Sequence, residues 1–189
     1  QSNVIELTPQ AQTVHEESHD DGSAEAFFNA GSGNFTAVRY GSGITEDIVR
    51  FKWYQEGEGG ALYLKIYADV QGTPGDEIYS RVMAGGLVAG WNTYDLSAEG
   101  LSFSGDIWVG TKEFSSTAPF GLDVDGVAWA NSYSSSDDWA TTEAVSGNLM
   151  YRVFLDDVEG GGDDCSSGNY DCAGVCDGDA AFDECGICE

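Results

Sequence analysis

Positive charge is scarce in this sequence: seven Lys and Arg stand against 33 Asp and Glu among 189 residues, giving a net charge of -26. Such a field repels phosphate backbones and anionic headgroups, which excludes nucleic-acid binding and argues against a membrane-surface partner. Long hydrophobic runs are missing as well. The longest nearly apolar stretch, residues 82–91 (VMAGGLVAGW), is interrupted by three Gly and is far shorter than the roughly 18 to 20 residues a spanning helix needs, so no membrane insertion is expected. Histidine is confined to His15 and His19, so no Ser-His or Cys-His pair can be drawn through the middle of the chain, and no catalytic residue is assigned. Among 33 carboxylates a pair of acids for glycoside hydrolysis can be chosen almost anywhere, which makes that signal uninformative. The chain reads as a non-enzyme.

What is present points to an all-β protein. Twenty-six Gly and only three Pro suit many tight turns between short elements, and five Trp, nine Tyr and nine Phe supply the burial that acidic disordered chains lack. From residue 26 to 157 the apolar period is two, as in Leu62-Leu64-Ile66 and Val49-Phe51-Trp53, a strand pattern. Further strands are predicted over residues 35–39, 48–54, 77–82, 91–96, 107–114, 120–124, 127–132 and 149–155, about nine in all. Residues 72–76 (GTPGD) read as a turn. Short, regularly spaced strands without intervening amphipathic helices predict a jelly-roll-like β-sandwich. Residues 1–16 form an extension with a short alternating strand at 2–8, residues 17–158 the sandwich, 159–164 an acidic Gly linker and 165–189 a Cys-rich tail. The chain lacks an initiator Met and carries its Cys in the last 25 residues. A mature, exported protein whose signal peptide has been removed is therefore expected, in an oxidising extracellular or cell-surface setting.

Two resemblances are carried by particular residues. Residues 19–25 (HDDGSAE), 35–40 (FTAVRY), 66–69 (IYAD), 75–80 (GDEIYS), 90–96 (GWNTYDL), 105–110 (GDIWVG) and 147–152 (GNLMYR) together resemble the ancillary β-sandwich domains of large secreted bacterial proteins. That likeness implies fold and location more than activity. Residues 171–188 (DCAGVCDGDAAFDECGIC) resemble a thrombospondin type 3-like calcium-binding repeat, ending where such repeats normally continue. The resemblance implies pairing of Cys165 with Cys172 and of Cys176 with Cys185, with Cys188 left for a partner elsewhere.

The tail carries nine carboxylates over residues 159–189 and no Lys or Arg, a density that hard cations relieve. Asp171, Asp177, Asp179 and Asp183 are its candidate Ca2+ ligands; the alternatives are a solvated acidic linker with disulfides only, or a zinc site on Cys172, Cys176, Cys185 and Cys188. Within the sandwich, Asp20 and Asp21 and, separately, Asp123 and Asp125 are turn-forming carboxylate pairs. Each is either part of a second calcium site or an Asx turn that needs no ion.

Trp53 and Trp108 fall in alternating patterns and are expected in the core. Trp129, Tyr133 and Trp139 lie in loop-like sequence and are candidates for a sugar-stacking surface. Two functions are therefore expected in order. The first is a secreted structural or adhesive calcium-binding sandwich that self-associates into a homopolymer or joins a neighbouring domain when residues 2–8 add to a sheet in trans, if they do not pair in cis. The second is a carbohydrate-binding accessory module of a larger secreted enzyme, with surface polysaccharide as its partner.

Overall fold

The computed structural model describes residues 14–126 and 131–157. The proposed donor segment at residues 2–8, Trp129, all five cysteines and Asp171, Asp177, Asp179 and Asp183 lie outside them. The chain divides after Asp157 into two units, and only the first is described. Among the described residues no helix is long and apolar enough to cross a membrane.

Twelve strands form among the described residues: β1 (Val14–Glu17), β2 (Ala26–Phe28), β3 (Phe35–Gln55), β4 (Ala61–Val70), β5 (Thr73–Ala84), β6 (Gly90–Asp95), β7 (Ser102–Glu113), β8 (Phe120–Asp123), β9 (Ser132–Ser135), β10 (Glu143–Ala144), β11 (Asn148–Leu149) and β12 (Tyr151–Asp157). They pair antiparallel throughout along the path β1-β12-β3-β7-β4-β5, with β6, β8 and β9 branching from β3. The result is an all-β, jelly-roll-like sandwich built from one curled antiparallel sheet, in which one long strand serves two sets of neighbours. The first part of β3, Phe35 to Val38, lies between β7 and β9, whereas its last part, from Arg50, lies between β12 and β6.

Alternation explains the core. Leu62, Leu64 and Ile66 on β4 point inward with Val38, Phe51 and Trp53 on β3, Ile107 and Val109 on β7, and Tyr151, Val153 and Leu155 on β12, all 2% exposed or less. Burying each such large apolar side chain stabilises the fold by roughly 1.5–3 kcal/mol. The opposite face of the same strands holds a smaller cluster of Phe35, Ala37, Tyr67, Trp108 and Trp139. Trp53 and Trp108 are thus both buried, as their alternation predicts. At Gly110 the strands approach so closely that a Cβ would stand 2.0 Å from the Thr36 carbonyl oxygen, so a side chain at this β3–β7 contact is excluded.

Several sequence expectations need correction. β1 straddles the predicted boundary at residue 16 and pairs with β12, so the sandwich already includes Val14 to Glu16; its polar edge-strand composition (VHEE) had concealed it. The two strands expected at 35–39 and 48–54 are one 21-residue strand, continuous through a register shift between Gly41 and Thr45. Residues 73–75 belong to β5 and not to a turn. The chain reverses at Gln71 and Gly72, whose φ angles of 55° and 85° make a two-residue hairpin between Val70 and Thr73. Pro74 is tolerated because β5 is an edge of the strand path. Of the strand expected at 127–132, residues 127–130 lie outside the described residues, and β9 takes up the chain from Ser132 to Ser135.

Candidate metal centre

Pairing of β2 with β8, Ala26 opposite Leu122, carries the preceding turn alongside the end of β8. Asp21, Asp123 and Asp125 meet there, each offering a carboxylate oxygen within 4.8 Å of the others. Asp123 is 1% exposed and accepts three amide hydrogen bonds. Asp21 N–H donates to Oδ2 at 3.1 Å, and the Asp125 and Gly126 N–H groups donate to Oδ1 at 3.2 and 2.9 Å. A Cβ at Gly126 would stand 2.8 Å from Asp123 Oδ2, so a larger residue here would have to displace that carboxylate.

Asp21 is oriented by Ser23, whose amide and hydroxyl both donate to its Oδ1 at 2.9 and 2.8 Å. These bonds hold the Asp21 carboxyl below its ordinary pKa. The Ser23 hydroxyl also lies 2.6 Å from Glu25 Oε1, and Val124 N–H donates to Glu25 Oε2 at 3.3 Å. Glu25 is therefore a fourth carboxylate at the margin of the cluster. Its charge, with partial desolvation and the charges of Asp21 and Asp123, raises the pKa of Asp125. Such mutual repulsion among oxygen ligands suits a hard divalent cation, and Ca2+ takes six to eight oxygens in flexible geometry. The cluster opens on a cleft of about 460 Å3 that also touches Ser18, His19 and Asn131.

The structure thus brings together three of the four carboxylates singled out within the sandwich and diverts the fourth. Asp20 lines the same cleft, but both its oxygens accept from Arg152 Nε at 3.1 Å and Oδ1 also accepts from Nη2. Arg152 Nη1 binds Glu16 at 2.6 Å. Burial opposes the Arg152 charge, but Asp20 and Glu16 outweigh it and raise its pKa. Asp20 is consequently neutralised by an internal cation and is removed from the candidate ligand set. Glu25 is not among the ligands expected from the sequence; its signal is its place two residues after Ser23 in the same acidic turn.

Among the described residues, which leave out Trp129, the sugar-stacking surface is not assembled as expected. Trp139 is 9% exposed; it turns inward at φ 70° and packs against Phe35 and Tyr67 at ring distances of 5.9 and 5.7 Å. The Ser135 hydroxyl accepts from the Trp139 amide at 2.9 Å and fixes that turn. Tyr133 is half-buried against Trp108 at 5.4 Å. Trp91, on β6, is covered by the cations of Lys52 and Arg152, each 4.5 Å from its ring.

No family model matches the chain, and no curated protein does. Among solved structures, the chain is similar to the cysteine protease and lectin-like domains of Cwp84, a surface layer associated protein of Clostridium difficile, at 14% identity over 67% of this chain and 33% of that one, with a TM-score of 0.48. It is also similar to the infectious bursal disease virus Gx strain structure, at 14% identity over 82% of this chain and 44% of the other, with a TM-score of 0.30. The chain spans between a third and a half of the length of these two structures.

Proposed function

We propose that this chain is an exported, non-catalytic β-sandwich module that is stabilised by Ca2+ and serves a structural or adhesive role at the cell surface. The observation that carries this is the convergence of Asp21, Asp123 and Asp125 from segments about a hundred residues apart, with oxygens within 4.8 Å. An ion held there ties the turn before β2 to the end of β8, so binding energy becomes folding energy. A cation held there would supply charge neutralisation; the chain supplies the carboxylate oxygens and the amides that aim them. Self-association through residues 2–8 is the mode of action that this reading favours.

Calorimetric titration with CaCl2 and thermal unfolding with and without chelator, on the full chain and on Asp125→Asn, test the proposal. Saturable binding with a raised melting temperature, much of it lost in Asp125→Asn, supports the cluster. An unchanged midpoint with no calcium by elemental analysis overturns it, and a calcium response that Asp125→Asn leaves whole moves the ion to the tail. Electron microscopy of the chain with and without residues 2–8 tests the assembly: a polymer that persists without them rules out strand donation.

A further inference from the structure

A second acidic feature lies away from the carboxylate cluster. In the antiparallel register of β3 and β12, Asp47 stands directly opposite Asp156, and such pairs place their Cβ atoms about 4.5–5.5 Å apart on one face. Like charges so placed destabilise a sheet. Both residues line one cleft of about 550 Å3, with Val14, Val49, Arg50 and Phe154 also in its wall.

Asp156 is 6% exposed, and its Oδ1 is buried without a hydrogen-bond partner. Asp47 accepts a hydrogen bond from Ser102 Oγ. Among the described residues, none of the ion pairs within 4 Å includes either carboxylate. The cation nearest in sequence, Arg50, is instead stacked over Phe154 at 4.7 Å and stands opposite Asp95 of β6. A buried acceptor left unmatched beside a second carboxylate costs free energy, so the negative charge at this register position is not relieved from within the fold.

We propose that this cleft binds a primary alkylammonium group, as carried by a lysine side chain or a free aliphatic amine. The ammonium head donates to Asp47 and Asp156, and the methylene stem lies along Val14 and Val49. Two carboxylates are too few oxygens for a calcium shell, and a wall with Val14 48% exposed suits an alkyl stem better than a hydrated ion. A sugar would need a free aromatic face, whereas Arg50 covers Phe154. The net charge of -26 draws cationic ligands toward the whole surface, and the opposed pair gives them a specific place to stop.

Amide chemical shifts of the full chain, titrated at constant ionic strength with n-butylammonium chloride, with N-acetyl-lysine methylamide and with neutral n-butanol, test this. Saturable shifts at Val14, Val49 and Phe154 are expected with the ammonium compounds and none with butanol. Binding of both ammonium compounds supports a lysine-type ligand, and binding of butylammonium alone supports a small free amine. Asp47→Asn and Asp156→Asn should each weaken binding about tenfold. If Asp156→Asn fails to fold, the half-exposed Asp47 decides the matter alone. Shifts that never saturate, that survive Asp47→Asn, or that calcium produces at these same amides in place of the amine overturn the proposal.

Discussion

The amide of Asp21 donates to the carboxylate of Asp123 at 3.1 Å, across 102 residues of chain. This bond holds one acidic turn against another before any cation arrives, so repulsion within the cluster is built into the fold. Asp125, whose pKa is raised by Glu25 and then by desolvation, Asp21 and Asp123, bears much of that repulsion. Because its folded-state pKa exceeds the unfolded one, the contribution of Asp125 to metal-free stability is fully present below the unfolded value and is lost as pH rises through the raised one. Calcium affinity should move oppositely, falling on acidification through the raised pKa as protons compete for Asp125. Titrations from neutral pH downward should show this loss in the full chain, and Asp125→Asn should flatten it.

Arg152 and Asp20 present the opposite case, a carboxylate matched by its own cation. The Asp20 side chain has no exposed surface and that of Arg152 only 16%. Arg152→Met leaves the buried charge alone and is expected to destabilise the fold by about 3 kcal/mol, read by denaturant unfolding. Asp20→Asn/Arg152→Met should recover part of that loss. If the single variant unfolds at the parental midpoint, the pair is structurally idle.

Glu46 is fully buried, and neither of its oxygens has a hydrogen-bond partner. His15 Nε2 stands 3.2 Å from its Oε1 and 3.6 Å from Glu17, which makes the imidazole the link between β1 and β3. A double-mutant cycle on His15→Ala and Glu46→Gln is expected to show coupling of about 1 kcal/mol, the double variant losing less than the sum of the singles. Strict additivity would mean that His15 does not stabilise the buried carboxylate.

Trp139 closes the smaller core cluster. Trp139→Ala should lower stability by about 3 kcal/mol, as removal of a buried aromatic does. A variant that unfolds like the parent would return Trp139 to the surface as a recognition residue.

The body of the sandwich was legible because its strands bury one face: Leu62, Leu64 and Ile66 alternate with Tyr63 and Lys65, and period two needs no knowledge of partners. β1 was not, since an edge strand with half-exposed His15 and Glu17 has no apolar face to show. The carboxylate pairs were visible as turns, yet adjacency misled. Asp20 and Asp21 are neighbours in sequence but serve Arg152 and Asp123 respectively, a division set by pairing between strands far apart in the chain, β1 with β12 and β2 with β8. Trp139 stood in a polar, Ser-rich run, and only its left-handed turn, with φ 70°, drives the ring inward. No local pattern announces such a turn for a residue other than glycine.

The length of β3 also has a kinetic meaning. Its hydrogen bonds reach β6, β7, β8, β9 and β12, and the last of these strands lies roughly a hundred residues downstream. Loop closure on that scale must precede most of the stabilising contacts, which places this body among slow, high-contact-order folders. Neither set of neighbours can be detached while β3 stays paired along its length, so opening should occur as one event. Amide exchange at Val38 and at Trp53, near the two ends of the strand, should therefore report the same free energy.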